Sequence, residues 1–171
     1  MKLYIKVINK LRAKIYSIKY NVGDGCNFGK VKFWDCEKNS INIGKKVVIS
    51  RKTEICAKSN FKVYIGDKTF INQQCIIRPN VNIGNNVDIA PRVMLMTDTH
   101  KIANSNRRAG ESQFLPINIG DGCWIGAGST ILGGVTIGKG TIIGAGSVVN
   151  KDCEANSLYA GVPAKFIKRL E

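Results

Sequence analysis

An apolar residue recurs at every sixth position over most of this 171-residue chain. Fifteen positions follow the period, and thirteen of them are isoleucine. They are Ile43, Ile49, Ile55, Ile65, Ile71, Ile77, Ile83, Ile89, Leu95, Ile119, Ile125, Ile131, Ile137, Ile143 and Val149. A period of six is neither the 3.6 of an α-helix nor the 2 of a half-exposed strand. It predicts a parallel β-helix built from hexapeptide units.

Three hexads complete one triangular coil, so residues 21–158 are expected to form about six coils. The repeat begins weakly at Val22, Phe28 and Trp34, and it becomes regular at Ile43. The residue after each repeat position is often glycine, and we expect these glycines at tight corners, where a positive φ is common. The isoleucines should stack on one another inside the prism. The fold class is therefore all-β, but the period does not determine the hand of the coil.

The largest break in the repeat lies between Leu95 and Ile119, which are 24 residues apart. The segment 97–116 (TDTHKIANSNRRAGESQFLP) is polar and lacks the period. Unstructured segments of this length inside a compact fold are usually functional or disordered. We therefore expect one long inserted loop with a role in function.

Both termini differ from the repeat. Residues 1–20 contain six basic residues and no acidic one, and Tyr4, Ile8, Leu11, Ile15 and Ile18 recur at helical spacing. This predicts an amphipathic helix that caps the open end of the solenoid. Its basic polar face leaves open a peripheral contact with a membrane surface. The C-terminal tail, residues 159–171, is expected to become a short helix after Pro163.

The chain is strongly basic: 26 Lys and Arg against 12 Asp and Glu give a net charge of +14. Such a surface attracts polyanions, or it simply keeps the protein in solution. No apolar run reaches the roughly 18 residues of a membrane span, and no secretory signal is evident. Nucleic-acid binding is disfavoured because no basic stripe alternates with aromatic residues that could stack on bases.

The six cysteines include no Cys-x-x-Cys pair. Cys26, Cys75, Cys123 and Cys153 each come two residues before a repeat position, where other repeats have Val, Thr or Ser. We therefore expect small core residues and not disulfides or metal ligands. A reducing, cytoplasmic location is the corresponding expectation.

His100 is the only histidine, and it lies near the start of the inserted segment. Histidine is the side chain best suited to act as a general base near neutral pH. If the backbone is extended there, Asp98 points to the same side and could fix the tautomer of the imidazole. The alternative is that both are ordinary solvated residues of a polar loop.

Four segments resemble the hexapeptide-repeat acyltransferases, in particular the maltose and galactoside O-acetyltransferases and the sugar O-acetyltransferases of surface-polysaccharide synthesis. These segments are IGNNVDIAPRVMLMTDTH (83–100), PINIGDGCWIGAG (116–128), GVTIGKGTIIGAGSVVNKD (134–152) and AGVPAKFIK (160–168). The resemblance implies a left-handed β-helix, a homotrimer with active sites between subunits, acetyl-CoA as co-substrate, and His100 as the catalytic base. The matched cofactor-binding positions are Trp124, Gly126, Ala127, Ala145, Asn150, Lys151, Lys165 and Lys168.

The chemistry of these residues agrees with acetyl transfer. Small residues at 126–128 and 144–146 would let a pantetheine arm lie against the backbone. Lys151, Lys165 and Lys168 could bind the phosphates of CoA. A backbone N–H near Gly126 and Ala127 could stabilise the oxyanion.

The chain also departs from the pattern of the family it resembles. Lys165 and Lys168 stand where the family has arginines, so bidentate phosphate binding is not expected. Asn72 matches an acceptor-side asparagine, but Arg78 replaces an acidic acceptor contact, which would suit an acidic or phosphorylated glycan. A single histidine cannot supply the three protein ligands of a catalytic zinc, so no metal is expected.

The sequence thus favours an acetyl-CoA-dependent O-acetyltransferase acting on a sugar or polysaccharide precursor. Two alternatives stay open. One is N-acetylation of a nucleotide-linked amino sugar or acetylation of an antibiotic. The other is a non-catalytic solenoid that binds an anionic polymer through its charge.

Overall fold

The chain winds into a triangular prism of six stacked coils. A computed structural model describes residues 2–171. It begins with one helix, α1 (Lys2–Tyr16). The coils comprise, in order, β1 (Asn21–Val22), β2 (Asn27–Phe28) and β3 (Lys32–Phe33); β4 (Ile41–Ile43), β5 (Val48–Ile49) and β6 (Glu54–Ile55); β7 (Val63–Ile65), β8 (Phe70–Ile71) and β9 (Ile76–Ile77); β10 (Val81–Ile83), β11 (Asp88–Ile89) and β12 (Met94–Met96); β15 (Ile117–Ile119), β16 (Trp124–Ile125) and β17 (Thr130–Leu132); β18 (Thr136–Ile137), β19 (Ile142–Ile143) and β20 (Val148–Val149). Two hairpins, β13 (Asp98–Ile102) with β14 (Ala109–Phe114) and β21 (Ser157–Gly161) with β22 (Ala164–Arg169), complete the fold.

The strands form three parallel sheets, which are the three faces of the prism. Face 1 has the order β1-β4-β7-β10-β15-β18. Face 2 begins β2-β5-β8-β11-β16-β19 and is extended by β21 and β22, and face 3 contains β3-β6-β9-β12-β17-β20. We call the corner between faces 2 and 3 edge 2; its first positions are Gly29, Ser50, Asn72, Ala90, Gly126 and Gly144. The corner between faces 3 and 1 is edge 3, and its first positions are Trp34, Cys56, Arg78, Met96, Leu132 and Asn150.

The periodic residues form the core as predicted. All fifteen are buried, and each lies in register with its counterparts on the neighbouring coils; Ile65, for example, lies beside Ile83, which lies beside Ile119. The repeat departs from expectation in the first coil, where Phe33 and not Trp34 pairs with Ile55. The hexad between Phe28 and Phe33 is one residue short, so Trp34 falls outside the core column, on edge 3.

The four cysteines predicted to be core residues, Cys26, Cys75, Cys123 and Cys153, are buried as predicted. All six cysteines are unpaired; Cys56 is buried too, and Cys36 is half-buried. Burial raises the pKa of the Cys75 thiol to about 11. Because only the thiolate is a good nucleophile or metal ligand, such a thiol is inert at neutral pH. Among the described residues no group of three or more His, Cys, Asp or Glu side chains could hold a metal ion.

The glycines that follow the isoleucines serve a different purpose from the one expected. The positive φ values fall three residues after the isoleucine, for example at Lys68 (57°), Asn86 (52°) and Gly122 (68°). A glycine directly after the isoleucine, such as Gly66, faces the next coil instead: an added Cβ would lie 2.5 Å from the carbonyl carbon of Gly84. These glycines are required by the close approach of two coils.

Helix α1 caps the first coil. Ala13 and Tyr20 are buried, the rings of Tyr16 and Phe33 pack edge to face with centroids 4.6 Å apart, and the Tyr16 hydroxyl donates to the Val31 carbonyl at 3.1 Å. The aromatic rings fill the open end of the prism and so shield its apolar interior from water. No helix in the described part of the chain is long and apolar enough to cross a membrane.

The expectation that the periodic apolar stripe of α1 faces the solenoid is wrong. Leu11, Ile15 and Ile18 are exposed and Ile8 is half-buried, while the side chain of Tyr4 lies outside the described part of the chain. The buried side carries Ala13 and Tyr16 instead, because a small residue lets the helix approach the coil and an aromatic ring fills its end.

The predicted C-terminal helix is also wrong. Residues 164–169 form strand β22, which pairs antiparallel with β21, and β21 extends face 2 by pairing Leu158 with Ile142 and Tyr159 with Ile143. The last coil presents unpaired backbone groups at this end of face 2, and a strand can cover them whereas a helix cannot. The rings of Phe166 and Tyr159 pack edge to face at 5.7 Å and hold the hairpin together.

Replacing Gly66 with alanine should destabilise the protein by about 3 kcal/mol, because the new methyl group meets backbone that cannot move aside. We expect a melting temperature lower by roughly 6–12 °C in a thermal unfolding experiment. The matched control is Gly122→Asn, since Asn86 at the equivalent position of the previous coil also has a positive φ, and nothing lies within 4 Å of a Cβ added to Gly122. The control should cost less than about 1 kcal/mol. Equal losses in the two variants would contradict the stacking argument.

Candidate active site

His100 lies on an ordered β-hairpin that leaves the prism at edge 3. The segment predicted as a long inserted loop forms strands β13 and β14, with His100 opposite Ser112. The Ser112 Oγ lies 3.3 Å from Nε2 of His100, and the imidazole is exposed. The insertion does not disturb the stack, because Val81 of β10 still pairs with Ile117 of β15. The hairpin thus adds a reactive side chain to a prism that is otherwise complete.

An ion pair fixes the root of this hairpin. Nε and Nη2 of Arg78 donate to the two carboxylate oxygens of Asp98 at 2.9 and 2.8 Å. The guanidinium also lies over the Trp34 ring, 4.8 Å from its centroid. Burial raises the pKa of Asp98, but the hydrogen bonds and charge of Arg78 outweigh it, and the pKa is lowered overall. The pKa of Arg78 is raised, mainly by its hydrogen bond to Asp98. At neutral pH the guanidinium and the carboxylate are therefore both charged.

This pair changes the roles expected for Asp98 and Arg78. Both carboxylate oxygens of Asp98 are bonded to Arg78, and the imidazole of His100 is bonded to Ser112 instead. The direct contact between Asp98 and His100 that would fix the tautomer is therefore not formed; Asp98 anchors the strand that carries His100. The charge of Arg78 is neutralised within the chain, so the case for an acidic acceptor that rested on a free positive charge is not supported.

Packing against the third coil adds to the rigidity of the hairpin root. The Asn80 side chain donates to the Phe114 carbonyl at 2.9 Å, and the Leu115 N–H donates to the Thr97 carbonyl at 2.9 Å. The rings of Phe61 and Phe114 lie 4.9 Å apart. The base of the hairpin is thus fixed by hydrogen bonds and apolar contacts on both strands.

A second group of predicted residues comes together on edge 2. The Gly146 N–H donates to the Ala127 carbonyl at 2.8 Å, and a Cβ on Gly126 would lie 2.5 Å from the Ala145 nitrogen. Two consecutive coils therefore form a narrow surface of backbone and methyl groups. The indole of Trp124 stands beside it on face 2 and is 55% exposed. We call this surface, formed by Trp124, Gly126, Ala127 and Ala145, the edge-2 shelf.

Asn72 lies on the same edge, two coils before Gly126, and its side chain accepts from the Gln73 N–H at 2.8 Å. The series of edge-2 positions continues past the last coil to Ala160, whose Cβ stacks on Gly144. Ala160 pairs with Lys165, and Leu158 pairs with Lys168, so both lysines extend from the C-terminal hairpin beside the shelf. They are exposed, as a phosphate-binding role requires.

The structure does not bring all the predicted residues together within one chain. Asn150 and Lys151 follow β20 and lie on edge 3, as do Arg78, Asp98 and the His100 hairpin. Face 3 separates this group from the edge-2 shelf. Each coil crosses face 3 with one hexad, and six extended residues span up to roughly 20 Å, so edge 2 and edge 3 are separated by up to about that distance.

Sequence reasoning missed Ser112 and the position of Trp34. Ser112 is twelve residues from His100, and it becomes its neighbour only through the register of the hairpin. The segment AGESQF (109–114) has no regular apolar alternation that would mark it as a strand. The sequence predicts Trp34 in the core column, because it lies six residues after Phe28.

The bacterial transferase hexapeptide family, defined by six repeats, matches residues 62–96 and 116–151. A protein of Schizosaccharomyces pombe (strain 972) that is named as an acetyltransferase is 38% identical over 169 residues, covering 85% of this chain and 82% of that protein. Galactoside O-acetyltransferase of Escherichia coli K12 is 41% identical over 110 residues. That match covers 63% of this chain and 54% of the enzyme, so the chain spans about half the length of the galactoside enzyme.

Solved structures agree with the sequence relatives. A hexapeptide-repeat acetyltransferase from Vibrio cholerae superposes with a TM-score of 0.71 at 27% identity, covering 99% of this chain and 86% of that one. Its complex with acetyl coenzyme A gives 0.63 at 26% identity, over 98% and 84%. An N-acyltransferase from Bacillus cereus gives 0.79 over 94% and 88%, but its 20% identity shows the fold alone. The chain therefore belongs to the hexapeptide-repeat acyltransferases, and its β-helix is left-handed like theirs.

Proposed function

We propose that this protein transfers an acetyl group from acetyl-CoA to a hydroxyl group of a sugar or polysaccharide precursor. The observation that carries the proposal is an exposed histidine on a rigidly anchored hairpin, with a hydroxyl already at 3.3 Å from its Nε2. An O–H group can therefore approach this nitrogen. The resemblance to galactoside O-acetyltransferase and to a structure solved with acetyl-CoA supports the same chemistry.

In the proposed reaction His100 takes the proton of the acceptor hydroxyl as its oxygen attacks the thioester carbon of acetyl-CoA. The N–H of Gly126 already donates to the Ile143 carbonyl at 2.8 Å, so the backbone N–H of Ala127 is proposed to stabilise the oxyanion of the tetrahedral intermediate. The intermediate collapses, the C–S bond breaks, and the thiolate of CoA takes the proton held by the imidazole. Acetyl passes directly to the acceptor, with no covalent enzyme intermediate.

Acetyl-CoA is proposed to lie along the edge-2 shelf. The methyl and glycine surface of Gly126, Ala127 and Ala145 is narrow enough for a pantetheine arm, whose amides can bond the backbone. Trp124 supplies an exposed aromatic wall beside it. Lys165 and Lys168 lie beyond the shelf, where they can bind the phosphates as point charges.

A homotrimer is proposed because one chain does not hold a complete site. The His100 hairpin lies on edge 3 and the shelf on edge 2, with the width of face 3 between them. Packing prisms side by side around a threefold axis would bring edge 3 of one subunit to edge 2 of the next. Each site would then take its base from one subunit and its cofactor surface from another.

Acetyl-CoA should release free thiol when it is incubated with the correct acceptor from a panel of neutral sugars, amino sugars and nucleotide sugars. His100→Ala should lower this rate on the order of 10²–10⁴-fold, since the general base is lost. CoA binding, measured by calorimetry, should be unchanged. Unchanged turnover in the variant would rule out the mechanism, and acetylation of amino sugars alone would favour N-acetyl transfer.

Co-expression of two inactive variants tests the shared site. His100→Ala removes the base, and Ala127→Trp blocks the shelf, so each homotrimer should be inactive. In a random mixture about a quarter of the sites combine an intact His100 with an intact shelf, and about a quarter of the wild-type activity should return. No recovery from mixed trimers, or sedimentation as a monomer, would contradict a site between subunits.

Asp98→Asn should loosen the hairpin and destabilise the fold by about 1–2 kcal/mol, because the charge-assisted pair is partly exposed. The pKa of Asp98 is lowered in the folded protein, so its contribution is complete above the unfolded value of about 3.9 and is lost as the pH falls below it. The difference in melting temperature between wild type and variant should hold from pH 5 to 7 and shrink toward pH 3. Hydrogen exchange should quicken in residues 98–114. A difference in melting temperature that is undiminished at pH 3 would show that charge is not the cause.

A further inference from the structure

The outward side of α1 is an unpartnered apolar surface. Val7, Leu11, Ile15 and Ile18 are 59%, 57%, 54% and 82% exposed, although each is a large aliphatic side chain. The opposite side of the helix holds Ala13 and makes the contacts that cap the first coil. Capping therefore explains one side of α1 and of the turn at 17–20 that follows it. The other side of this helix and turn has no role yet, and we call it the outer face of α1.

Positive charge accompanies the apolar residues of the outer face. Lys10, Lys14 and Lys19 are exposed, and none of them forms an ion pair within the described part of the chain. Residues 1–20 contain no Asp or Glu. An apolar strip bordered by lysines is the composition of helices that lie in a membrane interface.

The charge of the whole chain is concentrated at the same end. Residues 1–68 contain 16 Lys and Arg against 5 Asp and Glu, whereas residues 69–171 contain 10 against 7. The proposed active site lies mainly in the later coils, so the excess of positive charge is not explained by binding of CoA. It instead makes the capped end of the prism attractive to an extended anionic surface.

We propose that the outer face of α1 binds an anionic lipid surface. Leu11, Ile15 and Ile18 enter the boundary between headgroups and acyl chains, and Lys10, Lys14 and Lys19 meet the lipid phosphates. A second copy of the chain fits less well, because a self-complementary contact would bring these lysines against each other. The proposal is independent of the acetyl-transfer reaction and does not depend on its outcome.

Flotation with vesicles tests the proposal on the full-length protein. Binding is expected to vesicles of phosphatidylcholine with about 30% phosphatidylserine, and it should weaken as salt shortens the screening length. Pure phosphatidylcholine should bind far less. Failure to bind the anionic vesicles would overturn the proposal.

Matched variants separate the outer face from general charge. Lys10→Gln with Lys14→Gln and Lys19→Gln should weaken binding on the order of 100-fold. The control, Lys62→Gln with Lys68→Gln and Lys139→Gln, removes the same charge from exposed positions elsewhere and should lose less than about tenfold. Equal losses would overturn the assignment to α1.

The apolar contribution needs its own variant, Leu11→Ser with Ile15→Ser and Ile18→Ser. Its binding to anionic vesicles should also fall at least tenfold, while circular dichroism and sedimentation remain those of the wild type. Undiminished binding would mean adsorption by charge alone and would overturn the proposal. A smaller assembly in sedimentation would also overturn it, because the outer face would then be a contact between subunits.

Discussion

Each coil of this protein supplies the hydrogen-bond partners of the next, and this ladder restricts which residue types can occupy the corners and the core. The N–H groups of Gly44, Gly66, Gly84 and Gly120 all donate at 2.8 Å to the carbonyl of an isoleucine one coil further along. At each of these four glycines an added Cβ would lie within 2.8 Å of backbone atoms of the next coil. Glycine at this corner and isoleucine in the core are therefore two results of one spacing.

The same spacing creates the surface on which function is proposed. Gly126, Ala127 and Ala145 are close because their coils are adjacent. Gly126 is buried, but Ala127 and Ala145 carry only methyl groups and remain accessible to a thin ligand. The ladder also tolerates an insertion, provided that the chain returns to the corner it left. The His100 hairpin does so, since the Leu115 N–H bonds the Thr97 carbonyl before the next coil begins. A regular scaffold can thus carry a reactive loop without loss of core.

The sequence predicts the features that depend on regularly spaced residues, and it does not predict those that depend on irregular contacts in the folded chain. The period fixed the core residues, the number of coils and the place of the insertion, because these depend on neighbours six or eighteen residues apart. The Arg78–Asp98 pair joins a corner of the third coil to the inserted hairpin, 20 residues further along the chain, and no period marks it. The sequence predicts a helix and not a strand at residues 164–169, because the strand depends on an edge of face 2 that exists only in the folded prism. The same holds for the outer face of α1: helical spacing predicts an apolar stripe, but it does not predict which side of the helix packs on the first coil.

The ion pair at the hairpin root also bears on the choice of acceptor. The Arg78–Asp98 pair presents no net charge to an approaching ligand, yet three of the five N–H donors of Arg78 have no hydrogen-bond partner within residues 2–171. Such a group can donate hydrogen bonds to neutral hydroxyls without a strong preference for an anion. The arginine at this position therefore does not exclude a neutral sugar. In the proposed homotrimer, the preference for one acceptor would be set where the hairpin of one chain faces the shelf of another.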